Sequence, residues 1–420
     1  VTSDFVALAK AVGSGEGAGE LCCVEVPHPM GMMPPADIEA RADRAFPRIL
    51  ELATKWQPKG SRVAKEMAYP ARRFEFEGTT QDVTSLFFDQ GWSLGLPIVA
   101  PTPDGVGAML RGTKRAPHEV LGKVPPRMAS ITIELVAAHA VMAGCKPQHM
   151  PVLISAIEGL LDSGTDARAA LSTTGTTQFV VIVNGPVVKE AGIASGQGSA
   201  GKGHHANAAI GYAINLVACA IGGSRPPDVD KSTLGSPADL CCWVFGENED
   251  QIPGDWQPLH VERGFKKSDS VVTVAFTYPP LENIDHWSVT PEEHVRWWSR
   301  LVSPLDNMGG PCFPAVLDLG PIIALGPEHA ALLASAGWSK NDFRQAFWHQ
   351  TKIPLSTWPD GSPSMRTLME KLGPLKPESM IPITAAPGQL VVVIGGGAGK
   401  QSHFFPSFPS CFAVSTLVRD

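Results

Sequence analysis

Residues 390–405 read LVVVIGGGAGKQSHFF. The apolar run Leu390–Ile394 enters Gly395-Gly396-Gly397 directly, the pattern of a buried strand ending in a turn. Residues 196–213 read GQGSAGKGHHANAAIGYA, where a glycine-rich turn opens onto an apolar helix, Ala206–Ile221, that stops at Gly222-Gly223. Each stretch contains Ala-Gly-Lys-x-x-His, at Ala200–His205 and at Ala398–His403. Outward from these two junctions strands and helices alternate. Thr80–Gln90, Ser130–Ala143, Pro151–Leu161, Pro291–Leu301, Pro327–Ala336 and Lys340–His349 are predicted helices, and Pro103 after Thr102 starts another. Ile98–Ala100, Phe179–Val183, Leu240–Phe245, Val271–Phe276 and Ala315–Leu319 are predicted strands. The fold class is therefore α/β (or α+β), with residues 79–420 forming a large domain around a central mixed sheet flanked by helices.

The N-terminal residues read differently. Val1-Thr2 is the tail of a strand, and Ser3 or Asp4 caps a short helix, Phe5–Val12. Glu20–Val26 is a predicted strand and Ala36–Trp56 an amphipathic helix with apolar Ile38, Ala45, Ile49 and Leu52. Together they make the closing half of a small α/β unit, residues 1–57, followed by a Lys-, Arg- and Pro-rich linker, residues 58–78. Such a fragment buries too little to hold a sheet by itself. The expectation is that a separate chain or a cleaved segment completes it; the rival is that the arm packs on the large domain.

The bulk properties narrow the function. With 420 residues, 44% hydrophobic and 18% charged, the chain has the composition of a globular protein of about two units. A formal charge of −7 and no long basic run argue against a nucleic-acid partner. No stretch of about 20 residues is apolar enough to span a bilayer. Eight cysteines lie scattered, with Cys22-Cys23 and Cys241-Cys242 adjacent and no CxxC. That predicts buried free thiols and a cytoplasmic, reducing setting rather than a disulfide framework or structural zinc.

Two glycine turns with lysines suggest oxyanion chemistry. Glycines let successive backbone N–H groups converge, and a helix N-terminus adds roughly half a positive charge. Gly198, Gly201, Lys202, His205 and Asn207 of the first turn, and Gly397, Gly399, Lys400, Ser402 and His403 of the second, form the predicted site. It suits a carboxylate, phosphate or enolate oxygen. The second turn is no Walker A loop, because Ile394 and Gln401 stand where glycine and Ser or Thr are required. Gly196, Gly198 and Gly201 follow no clear strand, so no dinucleotide fingerprint exists, and no cofactor is expected. Glu247 ends a predicted strand; partly desolvated, it would serve as general acid or base. His28, held between Pro27 and Pro29, sits at the expected domain junction. Trp92, between Gly91 and Gly95, would wall an apolar pocket. His260 and Glu262, two apart on an extended stretch, share a face, with His286 or His294 as a third metal ligand. Convergence of ligands is not evident there, so no metal is predicted.

Several blocks together resemble a known family. They are Phe88-Asp89-Gln90-Gly91-Trp92 through Gly95-Leu96-Pro97-Ile98-Val99, Pro125-Pro126-Arg127-Met128, Val141-Met142-Ala143-Gly144-Cys145 and Val183-Asn184-Gly185-Pro186. Asn207 through Ile210-Gly211, Gly246-Glu247-Asn248-Glu249, His260-Val261-Glu262-Arg263-Gly264 and Gly395–Ser402 complete the set. They look like the large domain of UGSC-type proteins, named for a cysteine or selenocysteine preceding Gly-Ser-Cys. Val24–Gly31 is similar to the close of that family's small, motif-bearing domain. The motif itself does not occur in this chain; in the family it would lie upstream of Val1. The resemblance implies an enzyme, with a low-pKa chalcogenolate supplied by the upstream part.

The combined expectation is an enzyme subunit acting on a small organic anion or carbonyl compound. Its reaction would be thiol-dependent cleavage or addition–elimination, with Glu247, His205, Lys400 and His28 as catalytic groups and the turns as oxyanion stabilisers. The alternatives are a thiol-dependent reductase, a non-catalytic subunit binding a small anion or partner, and a metal-dependent hydrolase. An oligomer is expected.

Overall fold

The structure is a computed structural model that describes residues 1–18, 21–30, 33–57, 69–302, 320–357, 369, 372–409 and 411–419. Its strands in chain order are β1 (Val120–Val124), β2 (Ala129–Thr132), β3 (Gln178–Asn184), β4 (Trp243–Gly246), β5 (Val271–Thr277) and β6 (Leu281–Ile284). There follow β7 (Ile322–Leu325), β8 (Ile353–Pro354), β9 (Met380–Ile381), β10 (Val391–Ile394), β11 (Gln401–Phe405) and β12 (Val414–Leu417). The longer helices are α1 (Val6–Gly15), α2 (Pro35–Lys55), α3 (Thr80–Asp89), α4 (Pro103–Leu110), α5 (Ile133–Met142) and α6 (Met150–Leu161). The remainder are α7 (His205–Ala220), α8 (Pro291–Leu301), α9 (Pro327–Ser335) and α10 (Lys340–Gln350).

Two mixed four-stranded sheets carry the large domain, ordered β12-β5-β3-β4 and β10-β7-β11-β6. Successive strand residues point to opposite faces, and both faces of β3, β5, β7 and β10 are buried. On β3, Phe179, Val181 and Val183 enter a core shared with α5, α6 and α7. Val180 and Ile182 enter a second core, where they meet Val391 and Val393 of β10 and Phe405 of β11. The opposite faces of those strands, Val392, Ile394 and Phe404, pack with Trp298, Phe343 and Phe347 of α8 and α10. The layers therefore run helix, sheet, sheet, helix. This explains why Phe179–Val183 and Leu390–Ile394 are unbroken apolar runs: neither face of these strands meets water. The chain passes between sheets from β5 to β6 and again from β11 to β12, and a Thr277–Ser407 bridge joins the two crossings.

Helix ends follow local chemistry. Thr79 with Asp82, and Ser339 with Asp342, form reciprocal capping boxes, and Thr290 before Pro291 caps α8. Ser130–Ala143 is not one helix. Ala129–Thr132 is a strand of the β1–β2 hairpin, and Thr132 then accepts the Leu135 amide and starts α5. Ile98–Ala100 makes no strand; the Val99 amide bonds the carbonyl of Met142, the last residue of α5. The strand expected from residue 240 starts only at Trp243, because Pro237–Asp239 forms a turn capped by Ser236. Ala315–Leu319, Glu20, Gly31 and residues 58–68 lie outside the described residues.

In the N-terminal arm, the described part of the expected strand, Leu21–Val26, forms no ladder; Thr2 and Val26 share one parallel bridge. Helix α2 has no buried residue, and Phe46, Ile49 and Leu50 are exposed. The arm touches the large domain where Lys123 Nζ reaches the Gly15 carbonyl and Glu16. Residues 69–78 of the expected linker lie on the large domain: the Ala71 amide bonds Glu134 and Phe74 packs on Phe87 and Trp92.

One buried carboxylate ties three layers together. Glu247 follows β4 and is 1% exposed. Its Oε2 accepts from Asn184 Nδ2 of β3 and from the Leu259 amide, both at 2.7 Å. Its Oε1 accepts from the Ile394 amide of β10 at 3.2 Å and lies 3.6 Å from Nζ of buried Lys340, the first residue of α10. Removing one partner of a buried pair strands the other charge. Glu247→Ala is expected to cost about 3–5 kcal/mol in urea unfolding; a loss under about 1 kcal/mol, the range of an exposed pair, would contradict this role.

Candidate functional site

The two glycine turns meet. The strand β10 delivers one at residues 395–400, and the other, residues 195–204, precedes α7. The Gly396 amide donates to the Ser195 carbonyl at 3.2 Å. A Cβ on Gly397 would stand 2.4 Å from Gln197 Oε1 and 3.0 Å from Gln197 Cα, so only glycine permits this approach. Asn248, next to Glu247, clamps the second turn from below: its amide bonds the Ile394 carbonyl and its Nδ2 the Gly396 carbonyl, each at 2.8 Å.

Asn207 shapes the first turn. Its Oδ1 accepts the Ala194 amide, and its Nδ2 donates to the carbonyls of Ala194, Ser199 and Val244 at 2.9–3.0 Å. The side chain is thus spent on the backbone and holds the turn to β4. The ring of His204 lies 3.2 Å from the Gln197 carbonyl, where Nε2–H is the donor. Lys202 and His205 are exposed beside it. His205 stacks obliquely near His149, whose pKa falls to about 4 through burial, with His205 and Lys146 adding to the effect.

The second turn already holds an anion. Glu328 Oε2 accepts the amides of Gly399 at 2.6 Å and Lys400 at 2.7 Å, and these bonds hold its pKa below the usual carboxylate range. Lys400 has φ +49°, the left-handed conformation that turns two successive amides onto one oxygen. Gly399–Lys400 is therefore an anion-binding nest, filled by an exposed glutamate of the same chain.

Under this turn lies a buried polar cluster. Ser402 Oγ accepts the Gly326 amide and lies 2.7 Å from His329 Nδ1. His329 Nε2 is 3.0 Å from the Asp285 carbonyl, so Nε2 carries the proton and Nδ1 accepts from Ser402. Asp285 Oδ2 bonds His294 Nδ1 at 2.7 Å, while Oδ1 accepts the amides of Trp287 and Ser288. Burial pushes the Asp285 carboxyl up, but Ser288, His294 and the Trp287 amide outweigh it and leave it at about 2. Burial and the neighbouring His329 bring His294 down to about 4. Ser402 thus belongs to the support of the turn, facing inward, whereas His403 points to the other face, near Trp243 and Phe405.

The other expected residues separate. Glu247 is sealed in the knot described above; burial raises its pKa against the pull of Lys340, Leu259, Asn184 and Ile394, and its oxygens face no open space near either lysine. His28 keeps its contacts inside the arm, with Thr2, Ser3 and Phe5. Trp92 lines a cavity at the far end of α7, against Phe87. His260 and Glu262 are not on extended chain: Leu259–Glu262 is a helical turn after Pro258. His260 is fully buried toward Glu249, while Glu262 pairs with Lys340 and Arg344. They share no metal face. Asp285, His294 and His329 do place ligand-type atoms within 4.8 Å of one another. An ion there would have to displace the bonds that His329 makes to Ser402 and Asp285. Sequence reasoning missed Glu328, His329 and Asp285 because each acts through a fold contact distant in sequence.

Compared with protein families, with curated proteins and with solved structures, the chain returns no match.

The buried histidine gives a pH signature. A folded pKa near 4 for His294 lies below the ordinary value of 6.5, so the unfolded chain takes up the proton first. Stability is complete above about pH 6.5 and falls as pH drops toward 4, by on the order of 3 kcal/mol for this group. His294→Gln should reduce that slope in urea titrations, leaving the part due to His149; an unchanged slope would remove His294 as a source.

Proposed function

We propose that the paired glycine turns hold the oxygen atoms of a small organic anion or carbonyl compound, and that the chain is an enzyme subunit acting on it by addition–elimination. The observation that carries this reading is the Gly396–Ser195 backbone contact, which sets the turns bearing Lys202 and Lys400 side by side. The Lys400 ammonium at a built anion nest, with Lys202 exposed on the adjoining turn, favours a developing oxyanion. Glu328 then stands in for the ligand carboxylate, and ligand entry at that position would exchange one carboxylate for another.

The thiol for such chemistry does not come from the large domain as described. Burial lifts Cys145 to about 12 and raises Cys219, Cys241, Cys242 and Cys411 as well. Protonated thiols are poor nucleophiles. Cys22 and Cys23 belong to the arm, whose Gly15 abuts Arg127, and the Arg127 amide bonds Gly222 beyond the far end of α7, so the thiolate would be furnished by a partner chain seated at the turns. All seven described cysteines are unpaired, which fits the reducing, cytoplasmic setting proposed for the chain. Among the described residues no helix is long and apolar enough to cross a membrane.

A second reading, a binding subunit without turnover, is favoured by Glu247 being sealed away from the turns. Calorimetric titration with malonate, pyruvate and oxaloacetate tests the site. Lys202→Ala and Lys400→Ala should each weaken binding about tenfold, the loss of one charge-assisted contact. Wild-type affinity in both variants would end the proposal. Consumption of the bound compound with dithiothreitol present favours the enzyme, and binding without consumption favours the second reading.

A further inference from the structure

Helix α7 begins at the first glycine turn, and a separate cavity lies at its other end, bounded by Ala220 and Ile221. Sixteen residues at 1.5 Å each put the two about 24 Å apart. The cavity has a volume of about 860 Å³, within the range of small-molecule sites. Phe74, Phe87 and Trp92 form one wall, with ring centroids 5.3–6.4 Å apart, and Leu135, Met142 and Ile221 form another. Residues 71–76 roof it, fastened by the 2.8 Å bond from the Ala71 amide to Glu134 Oε2.

The polar groups are few and unevenly placed. Arg72 and Arg73 are exposed at the rim, and Arg73 lies 3.7 Å from Glu134 Oε1. Among the lining residues, two guanidinium groups stand against one carboxylate. Inside, His139 is 5% exposed and lines the cavity. Its Nδ1 lies 2.7 Å from the Leu135 carbonyl and must donate to it. Nε2 is then an acceptor, and burial keeps the ring neutral by lowering its pKa.

We propose that this cavity is a second binding site, built for an aromatic carboxylate that carries a hydroxyl or N–H at its buried end. The carboxylate meets Arg72 at the rim, the ring stacks within the Phe74, Phe87 and Trp92 wall, and the inner donor reaches His139 Nε2. An apolar chamber with one acceptor inside and positive charge at the mouth selects against neutral apolar compounds and against small hydrophilic anions alike.

Calorimetry on the full chain with 3-(4-hydroxyphenyl)propanoate, 3-phenylpropanoate and 3-(4-hydroxyphenyl)propanamide tests this. The hydroxylated acid should bind at one saturable site, more tightly than either relative. Arg72→Ala, on the exposed roof, should weaken the two acids at least fivefold and leave the amide unchanged. His139→Leu should erase the advantage of the ring hydroxyl, and Ala138→Phe, which fills the chamber, should abolish binding while circular dichroism stays native. A double Lys202→Ala, Lys400→Ala variant should bind like the unmodified chain. Three results would overturn the proposal: no saturable binding by any of the three compounds, unchanged binding in Arg72→Ala and Ala138→Phe, or loss of binding in the double lysine variant.

Discussion

A single ionised group deep between two sheets organises this fold. Taking a carboxylate out of water costs several kcal/mol unless its lone pairs are met by donors and its charge by a cation. The chain provides both around Glu247: a side-chain amide from one sheet, a backbone amide from the other, a third from the loop at Leu259, and Lys340 from the outer helical layer. Each donor comes from a different element, so the penalty is offset only when all of them are assembled. The hydrophobic layers supply the driving force, but apolar faces slide. The carboxylate fixes the register of one sheet against the other, and thereby decides what the strand ends beyond it can touch.

What they touch is each other. The residue after Glu247 clamps the glycine turn that follows β10, and that turn meets the one preceding α7 through Gly396 and Gly397. The Ser402, His329, Asp285 and His294 network props the same turn from beneath. The result is a braced pair of turns with exposed lysines, the arrangement on which the proposed oxyanion site rests. The glutamate lodged in the nest shows the preference of those amides directly.

Much of the architecture is legible in the sequence, for a physical reason. Strands buried on both faces must be continuously apolar, so Phe179–Val183 and Leu390–Ile394 declare themselves, and the glycine turns mark where they end. The errors fall where tertiary contact overrides local pattern. Glu247 looks like an exposed strand-end acid; its partners lie 63, 12 and 147 residues away, and only the packed sheets bring them to it. His260 and Glu262 alternate as if on a strand, yet Pro258 starts a helical turn that parts them. Thr132 divides one apolar run into a strand and a helix by capping, a signal present in the residues but outweighed by the hydrophobic run. Of the candidate site, the two glycine turns meet at Gly396–Ser195 and Gly397–Gln197, outside the repeated Ala-Gly-Lys segments themselves. Glu328, which fills one of them, lies 71 residues from Gly399 and carries no local motif.

The convergence of the turns is the claim on which the rest stands, and the space at Gly397 tests it most directly. A Cβ there would stand 3.0 Å from the Gln197 backbone N and Cα. The account predicts that Gly397→Ala pushes the turns apart, lowering stability in urea unfolding by at least about 1 kcal/mol and speeding exchange of the Gly396 amide that bonds Ser195. Unchanged stability together with unchanged exchange at Gly396 would contradict it.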